Sequence, residues 1–175
     1  LSCPNLAGKK MFAHDVGAAA DVITATAGLA YPRWAKLSPN TDALVAVAEA
    51  CAGAGADAVT LTNTLLGLVI DTDSRRPALG GGGGGVSGPG LGPIAVRAVW
   101  EVARAMPELP IVGVGGVHDA NSALQLLMAG ASAVQVGTAN FADPRATIRV
   151  LDELASWCDS HGVATIAELI GAAHP

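Results

Sequence analysis

Apolar and polar positions along the chain follow two alternating rhythms. Short β-branched and aliphatic runs are separated by longer Ala-rich stretches whose apolar positions recur every three to four residues. Residues 14–28 place Val16, Ala20 and Ile23 at helical spacing, with Gly28 available as a C-terminal cap. Residues 33–37 read as a short strand ended by Ser38-Pro39-Asn40. Asn40 or Thr41 then caps a helix over 42–52, which stops at Gly53-Ala54-Gly55. A strand is predicted over 57–62. A helix follows over 93–106, with Pro93 in its first turn. The pattern continues with a buried-type strand over 110–114, an acid- or Asn-capped helix over 119–128 and a strand over 132–136. Helices over 144–160 and 166–172 close the chain.

Strict alternation of strand and helix predicts β/α units and a parallel sheet. An internal echo supports this: Ala52-Gly53-Ala54-Gly55-Ala56-Asp57-Ala58-Val59 resembles Ala129-Gly130-Ala131-Ser132-Ala133-Val134. If the opening loop ends a further strand, the chain holds a little more than half of a (β/α)8 barrel, a fold of roughly 250 residues. A doubly wound open sheet is the alternative. The last two strands favour the barrel, because they end in Gly115-Gly116 and Gly137-Thr138. Loops after barrel strands seven and eight commonly bind phosphate through backbone N–H groups that glycine leaves accessible. The expected fold is thus the C-terminal half of a TIM barrel, one domain over 1–175. Residues 65–91 interrupt the rhythm as a hairpin or excursion. The glycine run 80–85 lacks the Gly-Lys-Ser/Thr ending of a P-loop and reads as a flexible loop.

Composition narrows the function classes. Of 175 residues, 51% are hydrophobic and 22 are Gly, which argues against disorder. Only 3% are aromatic, so Ala, Val, Leu and Ile must build the core. A net charge of −5, with no Lys/Arg cluster, disfavours nucleic acid as the main partner. No apolar run reaches about 18 residues, so no membrane span is expected. The start has no signal-peptide pattern. The three cysteines, Cys3, Cys51 and Cys158, lack metal-ligand spacing and fit a reducing cytoplasm. The four histidines form no metal pattern.

Candidate chemistry begins in Leu1-Ser2-Cys3-Pro4-Asn5, where a thiol, a proline-stiffened turn and a carboxamide fall together. Cys3 reads either as a base or nucleophile or as a small buried hydrophobe. A loop so loaded at the first residues leads to the expectation that the protein begins earlier and that this chain is its C-terminal part. Lys36 sits in an apolar strand. It either meets an anion or an electron-rich ring, or snorkels to solvent. Asn63 and Thr64 follow the next strand as ligand groups or turn formers.

Six motifs occur in order: Leu-Ser-Cys-Pro-Asn at 1–5, Lys-Leu-Ser-Pro-Asn at 36–40, Thr-Asn-Thr at 62–64, Val-Ser-Gly-Pro at 86–89, Gly-Val-Gly-Gly-Val at 113–117 and Val-Gly-Thr-Ala-Asn-Phe at 136–141. Together they resemble class 1 dihydroorotate dehydrogenase, an FMN-dependent (β/α)8 barrel of pyrimidine biosynthesis. Ser-Pro-Asn at 38–40 and Ala-Asn-Phe-Ala-Asp-Pro at 139–144 resemble its class 1B branch. That branch works with an electron-transfer subunit carrying FAD and a 2Fe–2S cluster, and passes electrons to NAD⁺. The resemblance implies that Cys3 is the base removing the C5 proton of dihydroorotate while flavin N5 takes the C6 hydride. Asn5, Asn63 and Thr64 would hold the pyrimidine, and Lys36 would lie at the flavin ring. Ser87 and Gly88 would meet the flavin through the backbone, and Gly115, Gly116, Gly137 and Thr138 would cradle its phosphate. It further implies a homodimer of catalytic subunits and a barrel that begins upstream of Leu1, so this polypeptide by itself is expected not to turn over. Two other readings compete. A dihydropyrimidine dehydrogenase-like reductase domain has His where this chain has Asn5. A non-catalytic phosphate-binding barrel would have no use for Cys3, Lys36, Asn5 and Asn63.

Overall fold

The computed structural model describes residue 1 and residues 11–175. The loop bearing Cys3 and Asn5 therefore lies outside the described residues. The first strands, β1 (Trp34–Lys36) and β2 (Ala58–Leu61), are followed by an excursion of four short strands: β3 (Leu65–Gly67), β4 (Ile70–Asp71), β5 (Arg76–Pro77) and β6 (Gly84–Val86). The main sheet then resumes with β7 (Ile111–Val114) and β8 (Ala133–Gln135). It is parallel throughout, in the order β1-β2-β7-β8.

The helices are α1 (Val16–Ala25), α2 (Leu44–Gly53), α3 (Gly92–Ala105), α4 (Ala120–Met128), α5 (Ala139–Ala142) and α6 (Ala146–His161). They pack in sequence, α1 on α2, α2 on α3, α3 on α4 and α4 on α6. A sheet that advances one strand at a time beneath a single layer of helices is the progression of a (β/α)8 barrel. A doubly wound sheet reverses its strand order and divides its helices between two faces.

Register assigns the two faces. Lys36 pairs with Thr60, Thr60 with Val112 and Val112 with Ala133, so these side chains share the face away from the helices. The alternate residues Ala35, Val59, Leu61 and Ile111 are buried against Val47, Val99 and Leu126 of the helices. Each Leu or Ile sequestered there contributes about 1.5–3 kcal/mol.

Some boundaries differ from the sequence expectation. The first helix ends at Ala25 with Thr26 as its cap, short of Gly28. Helix α2 starts at Leu44, and neither Asn40 nor Thr41 caps it, because Ala43 occupies that position. Thr41 Oγ1 instead accepts the Ala43 N–H at 3.1 Å. The glycine run is also more than a flexible loop. Gly84 and Gly85 belong to β6, and a Cβ on either would strike Leu79 or Thr64. Gly80, Gly81 and Gly82 have open space around them and form the turn.

The acidic cap predicted for α4 is Asp119. Its Oδ1 accepts the Ser122 N–H at 2.8 Å, and Ser122 Oγ accepts the Asp119 N–H at 3.1 Å. The Ser122 hydroxyl and N–H hold the Asp119 carboxyl below its ordinary value. A depressed carboxyl stabilises the fold above its unfolded pKa of about 4 and loses that contribution as pH falls through its folded value. Asp119→Ala is expected to cost about 1 kcal/mol at pH 7, lowering the thermal midpoint by about 2–4 °C. The deficit should shrink toward pH 3, as followed by circular dichroism.

Candidate functional site

The C-terminal ends of the main strands open onto one cavity of about 660 Å³. Every predicted site residue among the described positions lines it: Lys36, Asn63, Thr64, Ser87, Gly88, Gly115, Gly116, Gly137 and Thr138. This volume falls in the range of small-molecule sites, roughly 300–1,000 Å³.

Lys36 reaches the cavity because Ala35 beside it turns into the core, and alternation along β1 sends the next side chain the other way. Beyond β2, Thr62 N donates to the Val114 carbonyl at 2.7 Å and Asn63 N donates to the Leu37 carbonyl at 2.8 Å. The strap 62–64 is thereby tied to both neighbouring strand ends. The Leu61–Thr62 peptide is cis. Asn40 holds the far end of this strap. Its Nδ2 donates to the Thr64 carbonyl at 3.0 Å, and its Oδ1 accepts the Leu66 N–H at 2.8 Å. Ser-Pro-Asn at 38–40 is thus a brace for the strap.

The excursion has a similar positioning role. Leu65 pairs with Val86, so Thr64 and Ser87, the next residues outward, sit at one edge of the cavity. Gly85 lacks a side chain because Thr64 fills the space that one would occupy.

The two glycine pairs do different work. Gly115 (φ +130°) and Gly116 (φ +77°) adopt left-handed-side conformations, and a Cβ on Gly116 would lie 2.6 Å from the Gly92 backbone at the start of α3. Glycine lets this loop press against that helix. Gly137 has nothing within 4 Å of where its Cβ would be, so its missing side chain leaves open space.

Sequence reasoning missed several cavity residues: Thr62, His118, Asp119, Asp143 and Arg149. Thr62 Oγ1 is the most informative. The residue is 2% exposed, and its hydroxyl has no hydrogen-bond partner among the described residues. Leaving such a group unsatisfied costs about 1–3 kcal/mol, so a polar ligand group at this wall would be favoured. The signal was available in Thr-Asn-Thr, whose first member lies just past the strand end. Arg149 gave no local signal, since only the return of α6 brings it to the rim.

The rim carries both signs of charge. The Arg145 N–H, then the Arg149 guanidinium, hold the Asp143 carboxyl below its ordinary value. Arg149 and the Ala120 N–H do the same for Glu153, whose carboxylate in turn raises Arg149. These carboxylates remain ionised at neutral pH and share the one Arg149 guanidinium, which offsets part of their charge at the rim.

Amide, hydroxyl and glycine groups gathered at the C-terminal ends of parallel β/α strands define the ligand-binding face of a (β/α)8 barrel. The chain belongs to the dihydroorotate dehydrogenase family, whose model matches residues 1–157. It is 46% identical over 174 residues to the dihydroorotate dehydrogenase B (NAD(+)) catalytic subunit of Trichlorobacter lovleyi, covering 98% of this chain and 57% of that protein. The subunit of the same name from Geobacter sulfurreducens is 47% identical over the same coverage. Both relatives bear the name of the NAD(+)-linked type B catalytic subunit. The chain spans little more than half of their length. A crystal structure of DHODH from Eimeria tenella in complex with ferulenol superposes with a TM-score of 0.66 at 28% identity, over 81% of this chain and 38% of that one.

Proposed function

We propose that the protein to which this chain contributes oxidises (S)-dihydroorotate to orotate with FMN, in the synthesis of pyrimidine nucleotides. The observation that carries this reading is the convergence on one cavity of Lys36, Asn63, Thr64, Ser87, Gly88 and both glycine pairs, from separate segments of chain.

The residues present fit FMN. Leu91, Val114 and Val117 supply an apolar wall for a flat ring, the Thr62 hydroxyl lacks a partner among the described residues, and Gly88 and Gly137 leave room for close approach. When bound, FMN supplies the two-electron acceptor for the reaction. Ser87 and Gly88 would hold it through the backbone, with Gly115, Gly116, Gly137 and Thr138 around its phosphate. Lys36 would place a positive charge beside the ring and favour its reduced, more negative form. Asn63, Thr64 and Asn5 would orient the pyrimidine through paired donors and acceptors. The Cys3 thiolate would take the C5 proton. A partner subunit with FAD and a 2Fe–2S cluster would carry the electrons to NAD⁺, and the catalytic subunits would pair as a homodimer in the cytoplasm. Among the described residues, no helix is long and apolar enough to cross a membrane.

The test is flavin retention and substrate choice. The purified complete protein, of which this chain is expected to be the C-terminal part, should keep flavin absorbance after FMN addition and gel filtration, and should oxidise dihydroorotate in preference to reducing uracil. A preparation that stays colourless after FMN addition contradicts the flavoenzyme reading. Preference for uracil would support a dihydropyrimidine dehydrogenase-like activity instead.

A further inference from the structure

Arg149 stands in the first turn of α6 at the cavity rim. Its guanidinium serves acceptors on three segments. Nη2 donates to the His118 carbonyl at 3.1 Å, in the loop after β7. Nε donates to Asp143 Oδ2 at 3.2 Å, just beyond α5. Nη1 donates to Glu153 Oε1 at 2.8 Å, one turn along α6. Glu153 extends the network, because its Oε2 accepts the Ala120 N–H of α4 at 2.9 Å.

The loop of Gly115-Gly116 connects to this network through His118, and the segment of Gly137-Thr138 is tied to the same helix by a separate bond. His118 Nδ1 lies 2.7 Å from the Gly116 carbonyl oxygen. On the other side, Asn140 Nδ2 donates to the Val136 carbonyl at 2.9 Å, and Asn140 Oδ1 accepts from Thr147 Oγ1 of α6 at 3.1 Å. Strand pairing between the two arms ends at Val114 with Gln135. Beyond that point, α6 bridges the loop holding Gly115-Gly116 and the segment holding Gly137-Thr138.

We propose that Arg149 is a positioning residue that clamps the loop after β7 to the segment after β8, and so sets the spacing of the two glycine pairs around the phosphate end of FMN. This rests on the flavin reading above. The planar fork is essential to the proposal, since its donors point in different directions at once and a lysine ammonium has no such fork. Exposed ion pairs contribute little to stability, so loss of Arg149 leaves the fold standing while releasing the two arms.

The experiment compares FMN with riboflavin, which lacks the phosphate, by quenching of flavin fluorescence in the complete wild-type protein and its Arg149→Ala and Arg149→Lys variants. Both variants are expected to weaken FMN about tenfold while riboflavin stays within about twofold of wild type. Wild-type FMN affinity in Arg149→Lys would overturn the clamp in favour of simple charge attraction. Equal weakening of both flavins would reduce Arg149 to a structural residue, and unchanged affinities would remove its role. If wild-type protein binds flavin but does not prefer FMN to riboflavin, the phosphate cradle itself fails, and the clamp with it. A wild-type protein that binds neither overturns the flavin reading.

Discussion

Cys3→Ser should slow anaerobic reduction of bound flavin by dihydroorotate by about 10²–10⁴-fold at neutral pH, the usual contribution of a positioned acid–base group. The effect follows from acidity. A free thiol has a pKa of about 8.5, so a usable fraction is thiolate at neutral pH and the rate should climb as pH rises toward that value. A serine hydroxyl is a much weaker acid and needs a stronger base beside it to take a proton. Stopped-flow absorbance across a pH series measures both effects. An unchanged rate, or an unchanged pH profile, would contradict Cys3 as the proton acceptor.

Gly116→Ala should destabilise the fold strongly. Its φ of +77° disfavours any side chain, and the new Cβ would meet the Gly92 backbone at 2.6 Å and the Pro89 carbonyl oxygen at 3.3 Å. These neighbours are main chain, at the start of α3 and in the turn that precedes it, so no rotamer change relieves the clash. Left-handed strain and overpacking together are expected to cost about 3 kcal/mol, lowering the thermal midpoint by roughly 10 °C and weakening FMN. Gly137→Ala provides the contrast, because nothing lies within 4 Å of the place its methyl would take. Its thermal midpoint should stay near wild type while FMN affinity falls, since that methyl would intrude on the cavity. Thermal scans and flavin titrations on the same samples separate the two roles. Equal loss of midpoint in both variants would contradict this division of labour.

The contrast between these glycines shows what was legible in the sequence. Strand–helix alternation revealed the β/α units, and Gly115-Gly116 with Gly137-Thr138 marked successive strand ends at the cavity. That one pair presses on α3 while the other opens space depends on helix placement, which local pattern does not encode. Asn40 teaches the same lesson. Its residue type and position suit a helix cap, yet tertiary contact claims both ends of its amide for the 64–66 backbone. The glycine run 80–85 has the composition of a low-complexity loop, although part of it is strand whose missing side chains make room for Leu79 and Thr64. Arg149 was invisible for a related reason: its partners lie at His118, Asp143 and Glu153, on either side of a β/α connection. Asp119, by contrast, was predictable, because a capping box is complete within four consecutive residues.

This cavity is proposed to belong to a flavoenzyme acting on dihydroorotate. The most direct measurement is anaerobic titration of the FMN-loaded protein with dihydroorotate, following the long-wavelength flavin absorbance. Bleaching should be complete near one equivalent of substrate per flavin, with orotate formed in step and dihydrouracil ineffective. A flavin band that persists in excess dihydroorotate would contradict this assignment.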